Sequence, residues 1–242
     1  MEKRFHKIKL IVFALMSISC VISAQSKFAL NTSADIVSRY VWRGIDFGRS
    51  PAIQPTLSLG YGGLEAGFWG SYTLNSITSA SDELDFWLAY SVDISALSIT
   101  ALVNDYYFPN NGKALGNFNN YDDVEGNGAH TLEAGLVLSS DSFPLSLSSY
   151  YNFYNDAGNN MYFQLDCPFE VNDYEVDLFV GATTGSKENP DYYGTEEFNI
   201  INVGLQVSKE IKITEDFSLP IFTSYIINPT LEQHYLVFGV SF

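Results

Sequence analysis

Five acidic side chains recur on the polar face of segments in which apolar and polar residues alternate. They are Asp35, Asp85, Glu133, Asp166 and Asp177; Arg39 is the one basic residue placed comparably deep in such a segment, and Arg43 falls at its outer end. Where acidic side chains line a narrow passage of low dielectric, they attract cations and repel anions. These acids and Arg39 are therefore candidates for selecting cations. The alternative is that some of the acids bond to Tyr and Asn across the same space and only keep it packed.

Aromatic side chains share this polar face. They include Trp69, Trp87, Tyr150, Tyr162 and Tyr235. Flat aromatic rings can stack on the rings of sugars or nucleosides, and they can equally fill an enclosed space with apolar surface. Both readings remain open from the sequence.

The sequence offers little for catalysis. A hydrolase needs a nucleophile, a histidine and an orienting polar group within reach of one another. Of the three histidines, His6 lies in the N-terminal leader, while His130 and His234 fall near strand ends on the face predicted to meet lipid. We expect no enzyme activity, with a barrel hydrolase as an alternative.

One acidic stretch could in principle hold a metal ion. Asp122, Asp123 and Glu125 stand beside Gly126 to Gly128, and clustered oxygen ligands suit Ca²⁺. The ligand spacing of an EF-hand loop is absent. We therefore expect a solvated acidic loop, no metal and no cofactor.

The elements that position these residues are strands, and the last ten residues show their pattern most plainly. His234, Leu236, Phe238, Val240 and Phe242 share one face, and the residues between them are mostly small or polar. An amphipathic strand that stops on an aromatic residue matches the closing strand of an outer-membrane barrel. Phe238 and Phe242 are the predicted barrel-closing residues.

The same alternation recurs along the chain and predicts about twelve strands. They are expected near 30–43, 53–61, 64–72, 83–92, 97–108, 129–138, 144–154, 160–170, 174–183, 198–208, 217–227 and 233–242. Each is about the 9–11 residues that a tilted strand needs to cross a bilayer. Short turns alternate with long loops at 73–82, 109–128 and 184–197, as in outer-membrane barrels. The predicted fold is all-β, a transmembrane antiparallel up-and-down β-barrel that spans residues 25–242.

A soluble lipocalin-like barrel has the same alternation with the apolar side chains inside. The polar faces here carry mainly Ser, Thr, Gly, Asn and Gln, whereas a water-facing sheet usually carries many Lys and Glu. The composition, 15% aromatic and only 17% charged, also suits a barrel in lipid. Both features favour the membrane barrel.

The first 24 residues predict a secretory signal peptide. Basic residues precede an apolar run from Leu10 to Ile22, and Ile22-Ser23-Ala24 forms a small-residue cleavage site. Its removal takes away four Lys or Arg and one Glu, so the formal net charge of −16 becomes more negative by three. Such a charge excludes nucleic acid as a partner. Without Cys20, Cys167 has no intrachain partner, so barrel closure rather than a disulfide must supply stability.

Several blocks of sequence resemble a known family. Val41-Trp42-Arg43-Gly44-Ile45 leads to Pro51-Ala52-Ile53-Gln54, and Ala66 to Ser71, Glu83 to Phe86 and Asn104 to Pro109 follow in order. In this order and spacing the blocks, within residues 34–109, resemble the TorF-like porins of the Gcw_chp type. The resemblance implies an outer-membrane barrel that acts as a channel, and it brings no substrate or catalytic residue.

Geometry limits what such a barrel could pass. Twelve strands spaced ~4.8 Å apart and tilted ~40° give a backbone diameter of about 24 Å, so inward side chains leave a narrow passage. We expect a monomeric porin-like channel in the outer membrane of a Gram-negative bacterium, for small cationic or neutral solutes. Its expected partners are outer-membrane lipids, the barrel-assembly machinery and the solute. The alternative is a non-conducting binding or structural barrel.

Overall fold

The computed structural model describes residues 28–140 and 142–242. The predicted signal peptide, residues 1–24, lies outside the described residues. The strands are β1 (Phe28–Val37), β2 (Val41–Trp42), β3 (Ile45–Asp46), β4 (Ala52–Tyr61), β5 (Leu64–Thr73), β6 (Glu83–Ile94), β7 (Leu97–Tyr107), β8 (His130–Ser140), β9 (Ser146–Tyr154), β10 (Met161–Val171), β11 (Tyr174–Thr183), β12 (Asn199–Lys212), β13 (Ser218–Asn228) and β14 (Gln233–Ser241). Twelve of them form one closed antiparallel barrel, and β2 and β3 pair only with each other.

The barrel follows from the period-two alternation. In β6, for example, Leu88 and Tyr90 point outward and are exposed, while Asp85 and Trp87 point inward and are buried. Apolar side chains face outward and polar ones inward around the ring, the reverse of a soluble barrel. The predicted transmembrane fold class and strand number are confirmed.

The first and last strands close the ring along a short seam. Asp35, Ile36 and Val37 of β1 stand opposite Ser241, Val240 and Gly239 of β14. Two backbone hydrogen bonds between Ala34 and Phe242, of 3.1 and 3.0 Å, extend the seam by one more pair. By contrast, β1 pairs with β4 along its whole length. The C-terminal strand β14 thus lies beside β1 in the closed ring, and Phe238 and Phe242 are exposed.

Strand one is shorter than predicted. The alternation continues to Arg43, but β1 ends at Val37 and the chain then turns into the barrel as the β2–β3 pair. At the tip of this pair, Arg43 and Gly44 both have positive φ, 48° and 79°, and form a two-residue hairpin turn that reverses the chain. We call residues Tyr40 to Phe47 the lumenal hairpin.

Long connections lie at one end of the barrel and short ones at the other. The loops at 108–129 and 184–198 contrast with turns such as Gly62-Gly63 and Asn172-Asp173. Two short 3₁₀ helices, Ser76–Ser81 and Pro190–Tyr192, occur in the long loops. Among the described residues, no helix is long and apolar enough to span a membrane.

Candidate functional site: the lumenal constriction

The lumenal hairpin ends in a turn that requires its particular residues. A hairpin turn of this kind needs positive φ at both central positions, which costs little at glycine and more at arginine. A Cβ atom on Gly44 would collide with the backbone carbonyl of Ile201, and Asn228 donates a hydrogen bond of 3.1 Å to the carbonyl oxygen of Gly44. The tip is therefore held against the inner wall at β12 and β13.

Arg43 reaches across the lumen to the opposite wall. Its guanidinium makes a two-pronged ion pair with Glu133 of β8, with N–O distances of 2.6 and 3.0 Å, and also donates to the hydroxyl of Tyr193. In the ring of twelve strands, β8 and β9 stand opposite β1, from which the hairpin extends. The ion pair therefore bridges the barrel, and both side chains are almost completely buried.

Aromatic rings surround the guanidinium. Its central carbon lies 4.6 Å from the ring centroid of Trp42, 4.4 Å from that of Tyr150 and 4.5 Å from that of Tyr162. Trp42 also stacks on Tyr193, with centroids 5.7 Å apart. Cation–π contacts are stronger away from water, so this cage adds to the ion pair in fixing Arg43.

Glu133 receives hydrogen bonds from more than the arginine. Its Oε1 accepts from Asn104 Nδ2 at 3.0 Å and from the Tyr106 hydroxyl at 2.6 Å. A buried carboxylate is tolerated when its oxygens are paired in this way. Hydrogen bonds from β7 thus hold the Glu133 carboxylate of β8 in the position where it pairs with Arg43.

Two contacts fix the base of the hairpin. Arg39 forms an ion pair of 2.9 Å with Asp46 across the hairpin, and the Tyr40 hydroxyl donates to Glu83 of β6 at 2.6 Å. The hairpin is therefore joined to the wall at its base as well as at its tip.

All five predicted acids lie on the inward face and are buried, Asp35 excepted, which is half-buried. The basic residues are placed differently from the prediction. Arg43 is in the middle of the lumen rather than at the outer rim, and Arg39 is on the hairpin base, partly exposed, rather than on β1. Both errors follow from reading the hairpin as an extension of strand one.

The five predicted aromatic residues, Trp69, Trp87, Tyr150, Tyr162 and Tyr235, also lie inside the barrel and are buried. Tyr150 and Tyr162 belong to the cage around Arg43. Sequence reasoning missed Glu83, Trp42, Tyr106 and Tyr193 as part of the constriction. Glu83 lies two residues before Asp85, on the same face of β6, and could have been identified from that spacing. Tyr193 lies in a loop, where no alternation marks it.

His130 is buried rather than at the surface. It starts β8 beneath the 108–129 loop, where its ring stacks on Phe118 and Tyr107 with centroids 4.0 and 5.1 Å away. Its nitrogens contact the Asp105 carboxylate at 2.9 Å and the Leu115 carbonyl at 2.7 Å. Phe118 and Leu115 of the loop therefore cover this side chain at the strand end, and these contacts hold the loop to the barrel.

The acidic loop is exposed and organised by its own backbone. The N–H groups of Glu125 and Val124 donate to Asp122 and hold the pKa of its carboxyl below the ordinary value. Within residues 28–140 and 142–242, no three His, Cys, Asp or Glu side chains group as metal ligands.

The closed antiparallel barrel of twelve strands is similar in fold to a solved porin. The NanC porin superposes with a TM-score of 0.56 at 10% identity, over 87% of this chain and 98% of that chain. The KdgM porin gives 0.48 at 12% identity over 87% and 98%, and OprD from Pseudomonas aeruginosa gives 0.38 at 12% over 91% and 67%. At 10% identity, the likeness to the NanC porin concerns the fold alone.

The chain belongs to the family described as "Bacterial protein of unknown function (Gcw_chp)", whose model matches residues 22–225. No curated protein matches the chain.

Proposed function

We propose that the protein is a TorF-like porin, a channel of the outer membrane, and that it passes small cationic or neutral solutes. One observation carries the proposal: a closed ring of strands places apolar side chains outside and polar ones inside. In lipid, a closed ring satisfies the backbone hydrogen bonds of every strand, and the inward polar side chains leave a hydrophilic interior.

The lumenal hairpin sets the width of the proposed passage. It crosses the lumen from β1 to Glu133 and divides the interior at that level. A solute must therefore pass beside the hairpin, which restricts the channel to small molecules.

Charges along the lumen favour cations. Both guanidinium groups near the hairpin already have carboxylate partners, Arg43 with Glu133 and Arg39 with Asp46. Asp85, Asp166 and Asp177 face the same interior, and no ion pair joins any of them to a cation among the described residues. The formal charge of the lumen is therefore negative, which supports cation preference.

Single-channel recording in planar bilayers tests both points. Under a KCl gradient we expect a reversal potential that shows K⁺ preferred over Cl⁻, and a shift toward zero in the Asp85→Asn, Asp166→Asn double variant. Asp123→Asn, in the exposed loop, is the control and should leave the reversal potential unchanged. Anion preference in the parent protein would refute the charge argument.

A non-conducting binding barrel is the second candidate, because the hairpin and Tyr193 occupy the middle of the lumen. Absence of conductance in correctly folded protein would favour it. A hydrolase has no support of this kind, since the contacts of His130 go to a loop carbonyl and an outward-facing carboxylate.

We further propose that the protein resides as a monomer in the outer membrane of a Gram-negative bacterium, in contact with its lipids and inserted by the barrel-assembly machinery. The exposed apolar belt supports a lipid environment. Fractionation of cells would place the protein with outer membranes, and recovery as a soluble periplasmic protein without detergent would refute this.

A further inference from the structure

A cavity lies beside the lumenal hairpin. Its walls are Arg39, residues Tyr40 to Gly44 of the hairpin, and the inner faces of β1, β4, β5 and β10–β14. Its volume is about 90 Å³, well above the ~10–15 Å³ that a single water molecule needs, so it has room for several waters. One sugar ring with its hydroxyl groups displaces a comparable amount of water.

The lining combines aromatic rings with amide side chains. Trp42 and Trp69 supply flat apolar surfaces, and Gln54, Gln164, Asn202 and Gln206 supply hydrogen-bond donors and acceptors. This combination suits a ligand with apolar C–H faces and a rim of hydroxyl groups, because the faces stack on rings while the rim exchanges hydrogen bonds.

Buried polar atoms of the lining residues lack partners. Trp42 Nε1, Arg43 Nε and Asn202 Oδ1 make no hydrogen bond within the described part of the chain, and all three residues are more than nine-tenths buried. A buried polar group without a partner is costly. Two donors and one acceptor in one cavity can be satisfied together by hydroxyl groups, which both donate and accept.

The charges argue against an acidic ligand. Arg43 and Arg39 line the cavity, but each guanidinium is already paired with a carboxylate of the chain, Glu133 and Asp46. A ligand carboxylate would find the charges of both guanidinium groups already balanced, and Asp35, the one acid among the lining residues, would repel it. A neutral ligand meets neither obstacle.

We propose that this cavity binds one ring of a neutral saccharide, with Trp69 as the stacking platform and Asn202 and Gln206 among the groups that bond its hydroxyls. The proposal rests on the channel function in that the cavity adjoins the solute's path past the hairpin. The proposal thereby makes neutral saccharides the solute class of that channel.

Calorimetric titration of the detergent-solubilised, folded barrel tests the proposal. The probes are glucose and maltose as neutral sugars, and glucuronate as the acidic counterpart. We expect heat of binding with the neutral sugars, and weaker or no binding of glucuronate. Trp69→Ala should weaken binding about tenfold, the value of one lost stacking contact.

Trp87→Ala is the matched control, because Trp87 is also a buried inward tryptophan on a neighbouring strand but does not line the cavity. It should leave affinity unchanged. Gln206→Leu, which keeps the size of the side chain, is the second variant in case Trp69→Ala does not fold, as judged by heat-modifiable migration on gels. Equal losses for Trp69→Ala and Trp87→Ala, tighter binding of glucuronate, or no binding of either neutral sugar would overturn the proposal.

Failure here and failure of the channel function are separable. Binding in detergent does not need conductance, so binding without conductance would uphold the site and refute the channel. Conductance without binding would uphold the channel and refute the site.

Discussion

At the scale of single residues, Arg43 decides the character of the lumen. A non-glycine residue with positive φ is uncommon, and here it places a guanidinium where a carboxylate and three rings receive it. Breaking a buried ion pair from one side leaves the other charge unpaired, which costs more than the pair contributes in its intact form. The constriction therefore depends on both partners together.

Glu133→Gln is expected to lower the free energy of unfolding by about 3–5 kcal/mol, because it leaves Arg43 buried without its counter-charge. Urea titration in lipid vesicles would measure this. Arg43→Met combined with Glu133→Gln should cost less than the sum of the two single changes. Asp166→Asn is the control, since Asp166 is as deeply buried but has no guanidinium partner. Strictly additive losses would contradict a direct coupling.

At the scale of elements, the strands could be predicted because lipid and lumen impose opposite demands on alternate residues. The bounds of β11, at 174–183, agree with the sequence prediction, and most others differ by one to four residues. The lumenal hairpin could not be predicted in this way. Its residues Val41 and Arg43 continue the alternation of β1, and the inward turn depends on contacts with Ile201 and Asn228, far away in sequence.

The same limit applies to the constriction. The inward orientation of the acidic and aromatic residues could be predicted from the alternation, since each of them belongs to a regular strand. The contacts of Arg43 with Glu133 and Tyr193 join distant parts of the chain through a loop, and no spacing in the sequence encodes such a pairing. Sequence therefore located the wall of the lumen but not what crosses it.

Gly44→Ala should dislodge the hairpin tip and raise single-channel conductance, because the added methyl group would collide with the Ile201 carbonyl. Gly62→Ala is a close control. Gly62 also has positive φ, 62°, but a methyl group there would meet nothing within 4 Å. The control should show the backbone penalty, about 1 kcal/mol, without a change in conductance. Equal conductance in both variants would argue that the hairpin does not limit the passage.

At the scale of the whole molecule, stability depends on the closure of the ring. The β1–β14 seam is short, whereas β6 and β7 pair over eleven residues each. Cys167 is free, so no disulfide reinforces the described barrel. The seam is therefore where the ring opens most easily.

Deletion of Phe242 removes two of the seam's backbone hydrogen bonds, and at about 0.5–1.5 kcal/mol each the free energy of unfolding should fall by roughly 1–3 kcal/mol. The temperature at which the folded gel band converts to the unfolded one would report it. Phe242→Leu keeps these two backbone hydrogen bonds, so it should lower the free energy of unfolding less. If both changes had the same effect, the outward ring and not the backbone would be responsible.

The root of the hairpin also touches the final strand. Ser38, directly after β1, donates its backbone N–H to the Phe238 carbonyl at 2.8 Å and accepts from the Phe238 N–H through its hydroxyl at 2.9 Å. The clamp that orients an early loop is thus supplied by the strand that closes the ring. A chain that lacks β14 has no such clamp, so we expect that it cannot seat the hairpin, which ties the placement of the hairpin to the closure of the ring.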